Sequence, residues 1–323
     1  MAFRSMPLRI VADTNPDERP IFCYAFHRFF DSILSDGMKL RFLTPLRIAQ
    51  IRVTASLLTY LGRSPARARA IVWARKNPVA GPFLRLLLGF RGGFVSFAEA
   101  QASADRAITA GHEHADDIRV HTALSNTIRE SDYPVLFHLA PIAPELRKVF
   151  DLGGNVGNLF YAYQRMLKFN ANLRWVILDL PAKRAAGEAL ATTHGEPRIR
   201  YAASLNEASG ADLLVISGAL HYFETPLDEL LRSLEKPPRW VVVNRSPCSA
   251  GEDLITVQDA GTYLVPCKLY GRQKLIAAMT GLGYALRDSW EAHERQLWLP
   301  LYPEASHFTY FGFFFELQTG ATG

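Results

Sequence analysis

The stretch Val149-Phe150-Asp151-Leu152-Gly153-Gly154-Asn155-Val156-Gly157-Asn158 constrains this chain more than any other. A β-prone pair runs into an aspartate, then a glycine-dense turn, then Leu159-Phe160-Tyr161-Ala162-Tyr163, which reads as the start of a helix. Glycines let backbone approach a ligand closely, and a helix N-terminus points N–H groups at it. In a dinucleotide fingerprint the glycine comes first and the acid follows about 20 residues later on the second strand. Here an acid precedes the glycines, which suits a cationic or amine-bearing ligand better than a pyrophosphate.

Strands and helices alternate from Arg147 onward. After strand one, ending at Asp151, comes strand two, Leu173 to Asp179; its terminal acid lies 28 residues beyond Asp151. An acid there can accept both ribose hydroxyls of a nucleoside. Pro181 opens a helix running to Thr193. Strand three spans about Ile199 to Ser204, strand four Asp212 to Ser217, and strand five Trp240 to Arg245. After a loop to Tyr270, a helix from Arg272 to Leu282 precedes strands at Tyr284–Trp290 and Thr309–Leu317, which are able to pair antiparallel. Apolar runs of this kind fit a parallel sheet covered on both faces. Ligands of such sheets lie outside the carboxyl ends of the strands. That rule gathers Asp151, Asp179, Ser204, Ser217, His221, Asn244 and Arg245 on one rim.

The half before residue 146 reads as helical. Residues 1–20 are polar, with Pro16 and Pro20, and read as a flexible tail. Apolar residues then recur at helical spacing from Ile21 to about Leu61, broken at Pro45, and Ser64-Pro65 opens a helix that stops at Asn77-Pro78. Arg91-Gly92-Gly93 reads as a turn, and Ser96 to Glu99 as a capping box. His112-Glu113-His114 with Asp116 and Asp117 has ligand-type side chains but no distant partner, and reads as a polar connector; no metal is expected. Between Gly37 and Ala98 there is no acid, while eleven lysines and arginines fall between Lys39 and Arg91. This basic stretch is a solvated face or a contact with an anionic partner such as a membrane surface. Nucleic acid is not expected, because the aromatics lack the interleaving of stacking platforms.

At 323 residues the chain can bury a sizeable core. Cys23, Cys248 and Cys267 have no metal spacing and no pairing pattern, which points to a reducing, cytoplasmic setting. The N-terminus has no uninterrupted apolar core of a secretory signal, and no run approaches a membrane span.

Asp151 with Gly153, Gly154 and Gly157 resembles the first motif of class I methyltransferases, which bind S-adenosylmethionine (SAM). Beyond this, the chain resembles a family of methyltransferases often associated with surface-polysaccharide biosynthesis. The residues that carry the likeness are Phe94 to Ala100, Asp132 to Phe137, Val149 to Gly157, Leu178-Asp179-Leu180-Pro181, Ser217 to Tyr222, Asn244 to Pro247 and Ile255 to Gln258. They span roughly residues 90 to 318. The Asp-Leu-Pro after strand two also resembles small-molecule O-methyltransferases. One departure is Asn155, where the family pattern usually has glycine; asparagine tolerates the left-handed backbone.

The resemblance implies an α/β fold: a Rossmann-like, seven-stranded class I methyltransferase sheet over 146–323. The helical pattern before it, outside the resemblance for the residues before about 90, makes 21–145 an expected all-helical N-terminal region acting as a lid or dimer surface. The resemblance also implies SAM as methyl donor, with S-adenosylhomocysteine as product. Asp151 and Gly153 would lie near the methionine amine, Asn155 and Gly157 would line the loop, Asp179 would hold the ribose, and Gly154 is a further cofactor-binding candidate. Leu180 would pack on adenine, Ser204 would complete the cofactor rim, and Ser217 and Gly218 would flank the sulfonium. His221 is the candidate general base. Arg245 suits an acceptor carboxylate or phosphate. Tyr133, Tyr222, Asn244 and Gln258 are candidates for the acceptor pocket. The acceptor expected is a hydroxyl, or a nitrogen, of a sugar, glycan or small metabolite. Two rival readings are an oxidoreductase on the same sheet and a catalytically silent methyltransferase-like scaffold in glycan assembly.

Overall fold

The computed structural model describes residues 90–105, 127–259, 264–298 and 307–318. All belong to one unit, Ala55–Gly323; the other, Met1–Thr54, lies outside the described residues. So do the expectations for the tail, for the helices up to residue 89 and for His112-Glu113-His114.

Ten strands are described: β1 (Phe90–Phe94), β2 (Lys148–Leu152), β3 (Arg174–Leu178), β4 (Ile199–Tyr201), β5 (Leu213–Ser217), β6 (Trp240–Ser249), β7 (Leu254–Asp259), β8 (Leu264–Gly271), β9 (Tyr284–Trp298) and β10 (His307–Leu317). The helices are α1 (Phe97–Asp105), α2 (Asp132–Leu139), α3 (Asn158–Tyr163), α4 (Pro181–His194), α5 (Leu227–Arg232) and α6 (Arg272–Thr280). Seven strands form the main sheet in the order β4-β3-β2-β5-β6-β10-β9. All run parallel except β10, which is antiparallel to both neighbours. Renumbered within this sheet, the order is 3-2-1-4-5-7-6, the class I methyltransferase layout that the resemblance implies.

The sequence explains the layering. Val149, Leu213, Val215 and Val242 face a core built on α2 and α3, whereas Phe150, Leu214, Val241 and Val243 face one built on α5 and α6. A sheet buried on both faces needs apolar residues at successive positions, not alternate ones. Pro181 at the first turn of α4 and Gly195 in the left-handed region at its end set that helix's limits.

Phe90-Arg91-Gly92-Gly93-Phe94 is a strand, so the segment before residue 146 is not all helical. The stretch before Tyr270 is likewise not a loop. β7 and β8 form an antiparallel pair, and β1 pairs with β7 to make a three-stranded insert. β8 joins the main sheet where β6 runs on past the end of β5. The serine half of the capping box at α1 forms, Glu99 N–H donating to Ser96 Oγ at 3.1 Å, while Glu99 Oε2 reaches one residue further back and accepts the Val95 N–H at 3.0 Å. No helix among the described residues is long and apolar enough to cross a membrane.

Candidate active site

The strand order reverses between β2 and β5, so the loops after these strands diverge and leave a crevice at their carboxyl ends. Gly153 (φ +74°) shows how closely the two loops meet: a Cβ on it would run into Ala219. Gly154 has a different reason to be glycine. Its Cα covers the Asp151 carboxylate, and any side chain there would collide with that group.

Asp151 is fully buried at the end of β2. Trp175 Nε1–H donates to its Oδ2 at 3.0 Å, while Oδ1 has no hydrogen-bond partner among the described residues. Burial pushes this carboxyl up to about 7, and Asp179 adds to the effect; the Trp175 hydrogen bond and the Arg245 charge oppose it. A buried carboxylate with one open oxygen is short of a donor or a cation.

Asp179, at the end of β3, is drawn into the glycine turn. Asn155 N–H donates to its Oδ2 and Leu180 N–H to its Oδ1, both at 2.7 Å. Each oxygen keeps a lone pair for another donor. Asn155 adopts φ 57°, as its substitution for glycine requires. Its side chain turns onto its own loop, where Oδ1 accepts the Val156 N–H at 2.9 Å. Leu180 is exposed beside Asp179. Ser204 is exposed at the end of β4, two strands from the glycine turn.

On the other side of the crevice a buried polar network organises the rim. β6 carries a bulge: Phe311 pairs with Ser246 and Phe313 with Val243, so three steps on β6 face two on β10. Arg245 sits in it at φ 56°, a left-handed conformation that a non-glycine residue adopts at some cost. The bulge aims its guanidinium at α2. Nη1 donates to Asp132 Oδ1 at 2.8 Å, and Nη2 donates to Ser217 Oγ at 2.8 Å. The same Asp132 oxygen accepts Tyr163 OH at 3.0 Å and Asn244 Nδ2 at 3.2 Å. Trp290 Nε1–H in turn donates to Asn244 Oδ1 at 3.1 Å, over Gly312, whose missing side chain makes room for the indole.

This geometry reassigns two rim residues. The Arg245 guanidinium already holds a carboxylate, and Asn244, fully buried, has both ends of its amide engaged. Asp132 was not singled out from sequence as a site residue, although a signal was present. It lies on the stripe Asp132, Val135, Leu136, Leu139, the buried face of α2, and an acid on such a stripe requires partners. Its neighbour Tyr133 is 59% exposed.

His221 sits on the short turn Leu220–Tyr222 after β5 and is only 2% exposed. Its ring lies 4.0 Å from that of Tyr222 and meets Tyr310 edge-on at 6.1 Å. Tyr222 OH donates to Gln258 Oε1 at 2.6 Å, which brings two of the expected pocket residues together across the insert. No group of three or more potential metal ligands occurs among the described residues.

No protein-family model matches the chain, and no curated protein sequence does. Among solved structures it is similar to a Burkholderia thailandensis 1,6-didemethyltoxoflavin-N1-methyltransferase with bound 1,6-didemethyltoxoflavin and S-adenosylhomocysteine. That match has 18% identity, covers 65% of this chain and 92% of that one, and gives a TM-score of 0.39. It is also similar to an O-methyltransferase of neocarzinostatin biosynthesis, NcsB1, in complex with S-adenosylhomocysteine and 1,4-dihydroxy-2-naphthoic acid (19% identity, 58% and 57% covered, TM-score 0.35). A third is the N-terminal domain of EvdMO1 in the presence of S-adenosylhomocysteine and D-fucose (11% identity, 65% and 100% covered, TM-score 0.43). These likenesses are distant, and the strand order defines the fold without them.

Asp132→Ala leaves the buried Arg245 cation without its acid and is expected to destabilise the protein by about 3–5 kcal/mol in urea unfolding. Asp132→Ala combined with Arg245→Met should recover much of that loss, because the second change removes the stranded charge.

Proposed function

We propose that the protein is a SAM-dependent methyltransferase acting on a hydroxyl or nitrogen of a small molecule, a sugar or a glycan precursor. The observation that carries this reading is the pairing of two acids in one loop. Asp179 accepts the Asn155 N–H inside the turn that Asp151 begins. The residues present fit the donor. The open Oδ1 of Asp151 suits the ammonium of its amino-acid end, the free lone pairs of Asp179 suit the ribose hydroxyls, and exposed Leu180 offers a surface to the base. Bound there, the cofactor would supply an electrophilic methyl group on a sulfonium.

The chain's part in the reaction is then positioning and charge management. Ser217, fixed by Arg245, and Gly218 (φ +72°) form the rim beside the sulfonium position. The Asp132 carboxylate neutralises Arg245, so the rim presents no bare cation to a cationic donor. The turn holding His221 and Tyr222 closes the acceptor side, with Gln258 bonded to the Tyr222 hydroxyl. In this reading His221 receives the acceptor proton, and Tyr222 and Gln258 shape the pocket. A peripheral membrane or dimer contact through the 39–91 basic stretch belongs to the same proposal and lies outside the described residues, apart from the backbone at 90 and 91.

Asp151 predicts a pH dependence. Its carboxyl is protonated below about pH 7, and an incoming ammonium requires the carboxylate. Affinity for S-adenosylhomocysteine, measured calorimetrically, should therefore rise as pH increases through about 7, by up to about tenfold per unit on the acid side. Asp151→Asn should bind weakly with no such slope, and a flat wild-type profile from pH 6 to 8 would contradict this role. With a methyl-accepting metabolite fraction, His221→Ala should lower transfer by about 10²–10⁴-fold at unchanged product affinity. A loss below about tenfold would place the ring among the packing residues.

A further inference from the structure

The bulge at Arg245 also sets the other face of β6. An extra residue inverts the facing of the positions after it, so Cys248 joins Val241 and Val243 against α5 and α6. Ser246, two residues from Cys248, shares that face. It is fully buried, and its Oγ has no hydrogen-bond partner among the described residues.

A cation with no acid partner among the described residues stands on each side of Ser246. On β10 its partner is Phe311, and the Arg272 guanidinium carbon lies 4.4 Å from that ring's centroid. Arg272 Nη2 donates to Ser289 Oγ at 2.9 Å, but its Nε is buried with no partner among the described residues. On the other edge of β6, β8 pairs at Cys248↔Tyr270 and Ser249↔Gly271. Ser246 and Lys268 each precede that pairing by two residues, where the strands part. Lys268 is 7% exposed and its side chain makes no hydrogen bond or ion pair among the described residues; its Nζ lies 5.4 Å from the Tyr270 ring centroid.

The acids whose charges reach this face are already engaged. Asp253, felt at both Cys248 and Tyr270, accepts the Gly271 N–H at 2.8 Å and lies 3.6 Å from Lys274 Nζ. Asp228, felt at Tyr270, lies 3.3 Å from Arg232. Arg272 is felt at Cys248 as well, where it opposes the burial that pushes the thiol up to about 12.

Burying a cation without a counter-charge is costly, and so is a hydroxyl without a partner. An ammonium, a guanidinium and a hydroxyl are all donors, and together they match a compact oxyanion. β8, which bears Lys268, and β10, whose Phe311 ring carries the Arg272 guanidinium from the start of α6, flank β6 and stand about 10 Å apart. A phosphate accepting bonds from both sides would bridge that gap.

We propose that Ser246, Lys268 and Arg272 form a binding site for a compact oxyanion, a phosphate or carboxylate, on the α5–α6 face of the sheet. It is separate from the Asp132 network, which has taken Arg245. The oxyanion is either a free ion or a group carried by a larger ligand.

Thermal unfolding in inorganic phosphate against chloride at equal ionic strength tests this, with no methyl donor present, so it fails or succeeds independently of the cofactor reading. The wild type should gain about 3 °C or more at phosphate tenfold above Kd. Lys268→Met should melt higher than wild type in chloride, because it removes an unpaired buried charge, and should lose the phosphate gain. If Lys268→Met does not fold, Ser246→Ala and Arg272→Met carry the same test, each with at least a fivefold weaker phosphate affinity by calorimetry. Glucose 1-phosphate separates the two sources: a matching gain marks a site open to a phosphorylated ligand, and a gain with inorganic phosphate alone marks a closed site for the free ion. No phosphate-specific gain in the wild type, or a full gain retained in Lys268→Met, would overturn the proposal.

Discussion

The rim of this protein depends on one ion pair, Arg245 to Asp132 at 2.8 Å. The pair joins α2, contributed by the chain before the sheet, to the bulge in β6, and through Ser217 to the end of β5. Tyr163 and Asn244 complete the shell of Asp132, and Trp290 extends it to β9. Such a pair is retained at a desolvation cost, and removing one partner costs more than the pair contributes. Its role here is geometric: it holds five elements in register around the crevice at the switch point. The left-handed backbone at Arg245 is part of the same device, since the bulge aims the side chain across the rim.

Across the crevice, Asp151 works in the opposite sense. Asp132 is saturated with donors, whereas Asp151 has one indole N–H and an open oxygen, and is held near neutral pH by its burial. One acid builds the frame, and the other, in the proposed reading, receives the ligand. The two are told apart by their hydrogen-bond partners, not by their burial, which is complete or nearly so for both.

Much of this was legible in the chain. Runs such as Leu213-Leu214-Val215-Ile216 can only be buried on both faces, and the acids ending the first two strands fall where a parallel sheet places its ligands. Asn155 showed its left-handed backbone by standing where glycine is usual. The three-stranded insert was not legible. Phe90-Arg91-Gly92-Gly93-Phe94 carries two glycines, and its partner β7 lies more than 150 residues away, so no local signal marks the strand. Arg245 is hard to read for a related reason. An exposed-looking basic residue at a strand end suggests an anionic ligand, and its true partner sits on a helix 113 residues earlier. The apolar stripe of α2 held that information in Asp132, once the segment is taken as helical.

The central claim is that the Asp151–Asp179 loop selects an amino-acid nucleoside over a dinucleotide. Calorimetric titration of SAM and of NAD on the same sample at pH 8 tests it most directly. The account predicts micromolar binding of SAM, lost in Asp179→Ala, and no measurable binding of NAD. NAD binding more tightly than SAM, or no uptake of SAM at millimolar concentration, would contradict it.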